Sequence, residues 1–179
     1  MKTIRFTTAF LILGLIAATG VFAQSTDTDD HTVSVNIPVI QLLAIDGGNV
    51  TLAVTPPTNA GNPGTGDSDA NTSLFYTSLV PSGGSNKITV EASGASVPGG
   101  TSITVEATSI SATGTGGTAQ APVTFTNMLL GAQDFIRDIG SAYTGVTSGT
   151  DGAVLTYTLS FTNFEALNAL AAPEVFTVT

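Results

Sequence analysis

Short segments in which apolar and polar residues alternate run along most of this chain, and turns rich in Gly and Pro separate them. Residues 33–39 read Val-Ser-Val-Asn-Ile-Pro-Val, and residues 154–161 place Leu155, Tyr157 and Leu159 at every second position. Side chains of a β-strand point alternately to its two faces, so a period of two is typical of strands with one buried face. The pattern therefore predicts an all-β chain.

The number and spacing of these segments indicate a pair of packed sheets. We expect an antiparallel immunoglobulin-like β-sandwich of about 7–9 strands with one or two short helical turns, because short strands between turn signals are typical of that architecture. Apolar residues near a period of 3.6 predict a helix over 128–139 and one or two helical turns over 164–170. Strands are predicted at residues 33–45, 50–54, 74–80, 88–92, 103–107, 123–125, 154–161 and 175–179.

One strand sequence occurs twice, since Ile-Thr-Val-Glu-Ala at residues 88–92 recurs at residues 103–107. If the two copies pair antiparallel across the loop between them, their apolar side chains face inward while Glu91 and Glu106 face out. The repeat therefore predicts a hairpin. One repeat is too few for a solenoid, which needs several stacked units.

The charge of the chain excludes one class of partner. Its 179 residues include 13 Asp and Glu against 4 Lys and Arg, which gives a formal net charge of −9. A surface that binds nucleic acid needs a basic patch to neutralise phosphates, so we expect no nucleic-acid partner. The chain also has no Cys, so its stability must come from the core, from backbone pairing or from neighbouring subunits.

Residues 1–23 predict a secretory signal peptide. Lys2 and Arg5 precede an apolar run over residues 9–18, and the segment ends in Val-Phe-Ala before Gln24. That run is too short to span a bilayer comfortably, and no second apolar run follows. We therefore expect a secreted protein, extracellular or at a cell surface, with no membrane insertion after the signal is removed.

The rest of the chain divides into an arm and a domain. Residues 24–32 are polar and acidic and predict a flexible arm, and residues 33–179 predict a single β-sandwich domain. The first strand, residues 33–45, would reach ~43 Å if fully extended, whereas strands usually have about five or six residues. Pro38 cannot donate a backbone hydrogen bond, so we expect an edge position, a bend or a switch between sheets there.

No residue pattern predicts catalysis. His31 is the only imidazole and lies in the predicted arm, which provides no fixed geometry for a base. Glu91 and Glu106 could flank a sugar bond in a glycosidase, but an outward Glu on a strand is usually solubilising surface, and the chain has no Trp to stack a sugar ring. We expect no enzyme activity, no catalytic residue and no organic cofactor.

One metal hypothesis remains open. Asp67, Asp69 and Asn71 have the alternating oxygen ligands that open a calcium-binding loop. Thr72 stands where such a loop has its turn Gly, and Ser78 where it has its bidentate Glu. A looser Ca²⁺ site in the predicted loop over residues 55–73 is therefore the only metal site that the sequence suggests.

The long N-terminal strand, interrupted by Pro38, and the scarcity of Lys in a chain rich in small residues form a recognisable combination. They resemble the secreted immunoglobulin-like subunits of bacterial surface filaments, namely fimbrial pilins of the chaperone–usher kind and camelysin-like biofilm matrix fibres. The resemblance lies in the architecture and in residues 33–39, and the common pilin disulfide is absent. It implies that the N-terminal strand of one subunit completes the sandwich of the next.

This resemblance implies a structural protein that forms a homo-oligomer or a homopolymer. The subunit contact residues would be Val33, Val35, Ile37 and Val39, which share one face of the predicted strand. The alternative is that the same residues form the first strand of their own sandwich, because an ordinary first strand shows the same alternation.

A second function remains open at this point, that of an immunoglobulin-like adhesin or glycan-binding module with a surface glycan as its partner. Its site would lie in the loops over residues 55–73 and 141–152, with Tyr143 as the main contact, because loops carry function on such scaffolds.

Overall fold

A computed structural model gives the structure of residues 32–94, 96–126, 131–168, 170 and 172–179, and of Phe176 the backbone alone. The predicted signal peptide, most of the predicted arm, and His31 lie outside these residues. The chain divides into two compact units at residue 36. Only residues 32–36 of the first unit are described, and the fold reported below is that of the second unit.

The described part of the second unit is almost entirely β-structure, which confirms the all-β prediction. Its single helical element is a 3₁₀ turn at Phe164–Ala166, within the segment where one or two helical turns were predicted. The strands are β1 (Ile40–Asp46), β2 (Ser68–Leu79), β3 (Asn86–Val90), β4 (Ala92–Gly94), β5 (Thr101–Ser111), β6 (Thr113–Gly114), β7 (Thr118–Ala119), β8 (Val123–Phe125), β9 (Gln133–Ile139), β10 (Ala142–Tyr143), β11 (Gly152–Phe161) and β12 (Phe176–Val178).

These strands form three antiparallel sheets. The largest has seven strands in the order β6-β10-β2-β11-β5-β8, with β1 paired to β2 at one side. A second sheet has the order β3-β9-β7, and a third consists of β12 and β4. The twelve-residue β2 organises the large sheet, because β11 pairs with its first half and β1 pairs with its second half.

One apolar core lies between the large sheet and the two small ones. The large sheet contributes Val105 and Leu155, which are buried, and the β9 strand of the second sheet contributes Ile136 and Ile139. Phe125 on β8 has no exposed surface at all. Because the sheets share this single cluster, the architecture resembles a sandwich, as the alternation predicted.

The predicted hairpin between the two repeated strand sequences is wrong. Residues 88–90 belong to β3, which pairs with β9, whereas β5, which contains residues 103–107, pairs with β11 and β8. The prediction of which side chains face inward nevertheless holds, since Val90 and Val105 are buried and both Glu residues of the repeat are exposed. Alternation determines which face of a strand is buried, but it does not determine the partner of that strand.

The predicted helix over residues 128–139 is also wrong where the structure describes it, because residues 133–139 form strand β9. Residues 128–130 lie outside the described residues. The register between β3 and β9 shifts twice, and Asp138 has a φ of 60°. Such β-bulges place two consecutive residues, Phe135 and Ile136, in the core together with Ile139. This spacing imitates the apolar face of a helix.

Two further predictions fail in part. Residues 50–54 form no named strand, although Val50 and Leu52 are half-buried against the core. The predicted loop over 55–73 ends earlier than expected, because its last six residues already belong to β2. The loop is closed instead by a pair of backbone hydrogen bonds between Thr55 and Thr65, at 2.9 and 3.0 Å.

Two glycines near the start of β11 provide a test of this packing. Gly152 and Gly149 have φ angles of 74° and 75°, so an Ala at either site incurs a similar backbone cost, about 1–2 kcal/mol. A Cβ at Gly152 would also collide with the carbonyl oxygen of Leu74, whereas a Cβ at Gly149 would meet nothing within 4 Å. We expect Gly152→Ala to lower the free energy of unfolding by about 1–3 kcal/mol more than Gly149→Ala, as overpacking does.

Urea unfolding of both variants, followed by circular dichroism, measures this difference. Equal destabilisation by the two substitutions would contradict the close approach of β11 to β2.

Candidate assembly site

The segment before β1 contains the four residues predicted to contact a neighbouring subunit. Among the described residues, 32–39 belong to no strand, so the predicted strand 33–45 is shortened to β1. Val33, Val35, Ile37 and Val39 are 72%, 78%, 71% and 58% exposed, respectively. These four aliphatic side chains therefore lie mainly in solvent.

Pro38 lies at the point where regular pairing stops. β1 begins at Ile40, two residues after it. Since proline lacks the backbone N–H that a ladder requires, it is found at the end of a strand or on an edge strand with its nitrogen facing solvent. The chain therefore passes at Pro38 from a segment that belongs to no strand of the described residues to a strand that pairs with β2.

β1 is an edge strand of the large sheet. It pairs with β2 over seven residues, from Ile40 opposite Leu79 to Asp46 opposite Ser73, and with no other named strand of the described chain. Proteins usually protect such edges with charge, Pro or a covering element. Within β1 the only charged residue is Asp46, at its end.

The two faces of β1 can be assigned from its register. Directly opposite residues of an antiparallel pair project to the same side of the sheet, so Leu43 and Ile45 share the core side with Tyr76 and Leu74. Leu74 and Tyr76 are only 3% and 5% exposed, whereas Leu43 and Ile45 are 57% and 55% exposed. The inner face of the large sheet is thus covered at β2 and uncovered one strand further out.

The second sheet ends above β2. Asn86, at the start of β3, accepts a hydrogen bond from Gln41 Nε2 at 2.7 Å and donates one through Nδ2 to Ser78 Oγ at 2.9 Å. β3 is also the terminal strand in the order β3-β9-β7. Consequently no strand of the described chain covers the inner face of β1.

The charges near this site are unevenly distributed. Lys87 on β3 and Arg137 on β9 are the only Lys or Arg residues after position 5 in the sequence, and both form salt bridges with Asp134. Hydrogen bonds from Lys87 and then from Arg137 hold the pKa of Asp134 below its usual value. Residues 32–45, in contrast, include no Asp, Glu, Lys, Arg or His.

Of the three calcium candidates, Asp69 and Asn71 lie on β2 and Asp67 directly precedes that strand. Asp69 accepts hydrogen bonds from the backbone N–H and the side-chain amide of Asn71, both at 3.0 Å. Asp67 accepts from the backbone N–H groups of Ser68 and Ala53. The carboxylates therefore bond to nearby N–H groups. Within the described chain there is no cluster of three or more His, Cys, Asp or Glu residues that could hold a metal ion.

The predicted loop site is more ordered than its composition indicates. Tyr143 lies on β10, opposite Thr77, and is 56% exposed. After it, Thr144 Oγ1 accepts from the backbone N–H of Tyr76 at 3.1 Å, and the Asp151 carboxylate accepts from the backbone N–H of Thr147 at 2.8 Å. These bonds fix the loop, and the second lowers the pKa of Asp151.

The structure does not bring the two glutamates of the repeat together. Glu91 pairs with Thr179 beside the smallest sheet, and Glu106 lies on β5 of the large sheet. Both side chains are exposed, so they give no support to a glycosidase pair.

No protein-family model, curated protein or solved structure matches this chain. No helix of the described residues is both long enough and apolar enough to cross a membrane.

Two residues of the candidate site, Leu43 and Ile45, were missed as contact residues by sequence reasoning. Their signal was present, since residues 40–45 are apolar on both faces of the predicted strand. That pattern is equally typical of a fully buried strand. Only the register with β2 and the position of β3 show that the inner face is open.

A matched pair of Leu→Ala substitutions tests this exposure in the monomer. We expect Leu43→Ala to change the free energy of unfolding by less than about 0.5 kcal/mol, as is usual at an exposed site. Leu155→Ala, at a residue that is 4% exposed, should cost about 2–5 kcal/mol. Chemical denaturation at low protein concentration measures both, and a cost at Leu43 similar to that at Leu155 would show that the inner face of β1 is already covered.

Proposed function

We propose that this protein is a secreted structural subunit of an extracellular filament or surface assembly, and that residues 33–39 of one copy insert as a strand into the next copy. One observation carries the proposal. A segment with alternating aliphatic residues is exposed and has no strand partner in the described chain. An exposed apolar stripe of this kind is typical of a surface that another polypeptide covers.

The physical basis is the addition of a strand to a sheet. Backbone hydrogen bonds to an open edge provide affinity, and alternate side chains fill pockets along the groove. Burial of four aliphatic side chains would contribute roughly 6–12 kcal/mol before the costs of ordering and association. Because donor and acceptor are different surfaces of the subunit, such a contact repeats head to tail, and it gives an open fibre when the rotation from one subunit to the next does not close a ring.

The charge distribution supports contact through this segment. Without the predicted signal peptide, which contains Lys2 and Arg5, each subunit has 2 basic and 13 acidic residues and a formal net charge of 2 − 13 = −11, so the subunits repel one another. Residues 32–45 are uncharged, so their insertion leaves no unpaired charge buried at the interface. Association through this segment therefore avoids the most costly form of burial.

A second candidate function, glycan binding, is favoured by one observation. Tyr143 and Val146 are 56% and 82% exposed on a strand and loop whose backbone is fixed by hydrogen bonds. An exposed aromatic ring on a rigid support can stack against a sugar. Binding of the monomer to a glycan array, lost in Tyr143→Ala, is the result that would favour this function over assembly.

Negative-stain electron microscopy tests the proposed assembly. The protein from Gln24 to Thr179 should form uniform filaments at high concentration, whereas the triple variant Val33→Ser, Val35→Ser, Ile37→Ser should form none, because the apolar stripe has been removed. The matched control Thr32→Ala, Ser34→Ala, Asn36→Ala changes the intervening side chains and should still assemble. Circular dichroism establishes that all three proteins are folded.

Monodisperse particles of the unsubstituted protein at every concentration would contradict the proposal. Equal loss of filaments in the triple variant and in its control would also contradict it, because assembly would then not depend on the apolar stripe.

A further inference from the structure

We infer that the acceptor for the N-terminal segment of a second copy is the open position beside β3, above the inner face of β1, and that residues 33–37 of that segment form the ladder. This inference rests on the proposed function and names the surface that receives the inserted strand. It follows from the unequal widths of the two facing sheets. The large sheet extends to β1, whereas the opposite sheet ends one strand earlier, at β3.

The hydrogen bonds of Asn86 locate this open position. They join β3 to Ser78 on β2 and to Gln41 on β1, so β3 lies above β2 at this end of the sandwich. A strand added to the free edge of β3 would lie ~4.7–4.9 Å farther out, and facing sheets are ~10 Å apart, so the added strand would lie over β1. It would cover the exposed side chains of Leu43 and Ile45.

The inserted segment matches this position in length and in side-chain spacing. β3 has five residues, Asn86–Val90, and the segment 33–37 also has five before Pro38. Pro38 cannot extend the ladder further, because it has no N–H to donate. Val33, Val35 and Ile37 repeat every second residue, as Leu43 and Ile45 do on the facing strand, so the two apolar rows can interdigitate.

The charges of the acceptor sheet balance one another. Lys87 on β3 and Arg137 on β9 are matched by Asp134 and Asp138, which both lie on β9. The inserted segment is uncharged, since residues 32–45 include no Asp, Glu, Lys, Arg or His. An uncharged strand therefore adds no charge to a sheet that is already balanced.

Thiol accessibility during assembly tests this acceptor. The chain has no Cys, so the single variants Leu43→Cys and Leu42→Cys each place one thiol on β1. The two residues are neighbours with similar exposure, 57% and 66%, but they lie on opposite faces. The rate of maleimide labelling is measured for dilute monomer and for assembled protein, with electron microscopy of each sample.

On assembly we expect the labelling rate of Leu43→Cys to fall by about tenfold or more and that of Leu42→Cys to change by less than about twofold, as expected when one face becomes protected. Leu43→Cys combined with Val33→Ser, Val35→Ser and Ile37→Ser should label rapidly at every concentration. Protection in that combination would overturn the inference, because the apolar residues of the inserted segment would then not be its cause.

The remaining outcomes distinguish the inference from the proposed function. Filaments in which both thiols remain reactive, or in which both are protected equally, would overturn the acceptor assignment and leave filament formation intact. Equal protection would instead indicate that the free edges of two β1 strands pair with each other. Absence of filaments in all samples, including the unsubstituted protein, would overturn both.

Discussion

The pairing of β1 with the second half of β2 is the contact on which the N-terminal part of this domain depends. β2 has buried residues on both faces, with Tyr76 toward the core and Phe75 on the opposite side. β1 has almost none, because its seven residues are bound through one edge and exposed on both faces. A strand held in this way retains an open edge and an uncovered inner face. The features assigned to assembly are consequences of that placement.

The same arrangement explains how a chain without disulfides can combine a stable domain with a strand, β1, whose inner face is uncovered. The core is formed mainly by β2, β5 and β11 of the large sheet together with β9, and its central residues, such as Val105 and Ile136, have almost no exposed surface. Because β1 contributes little to this core, the stability of the domain does not require the inner face of β1 to be covered. That face can therefore remain exposed in the monomer and still accept a strand from a neighbouring copy.

Alternation in the sequence predicted the all-β class and the inward-facing residues of several strands, and the helix-like spacing of residues 164–170 predicted the short 3₁₀ turn. It could not predict strand partners, because the repeated sequences at 88–92 and 103–107 satisfy the same pattern with any partner on the same face. The bulged β9 was predicted as a helix, since Phe135, Ile136 and Ile139 have helix-like spacing. In the candidate site, the apolar residues of 33–39 could be named from sequence. Their exposure and the uncovered Leu43 could not, because both depend on where the opposite sheet ends.

Hydrogen–deuterium exchange of the backbone amides of residues 33–39 tests the central claim most directly. The proposed assembly predicts that these amides exchange without protection in dilute protein that sediments as a single monomeric species, and become protected together with the edge of β3 as filaments form. Protection of the same amides in the dilute monomer would contradict it. Such a result would assign Val33, Val35, Ile37 and Val39 to a strand of their own domain.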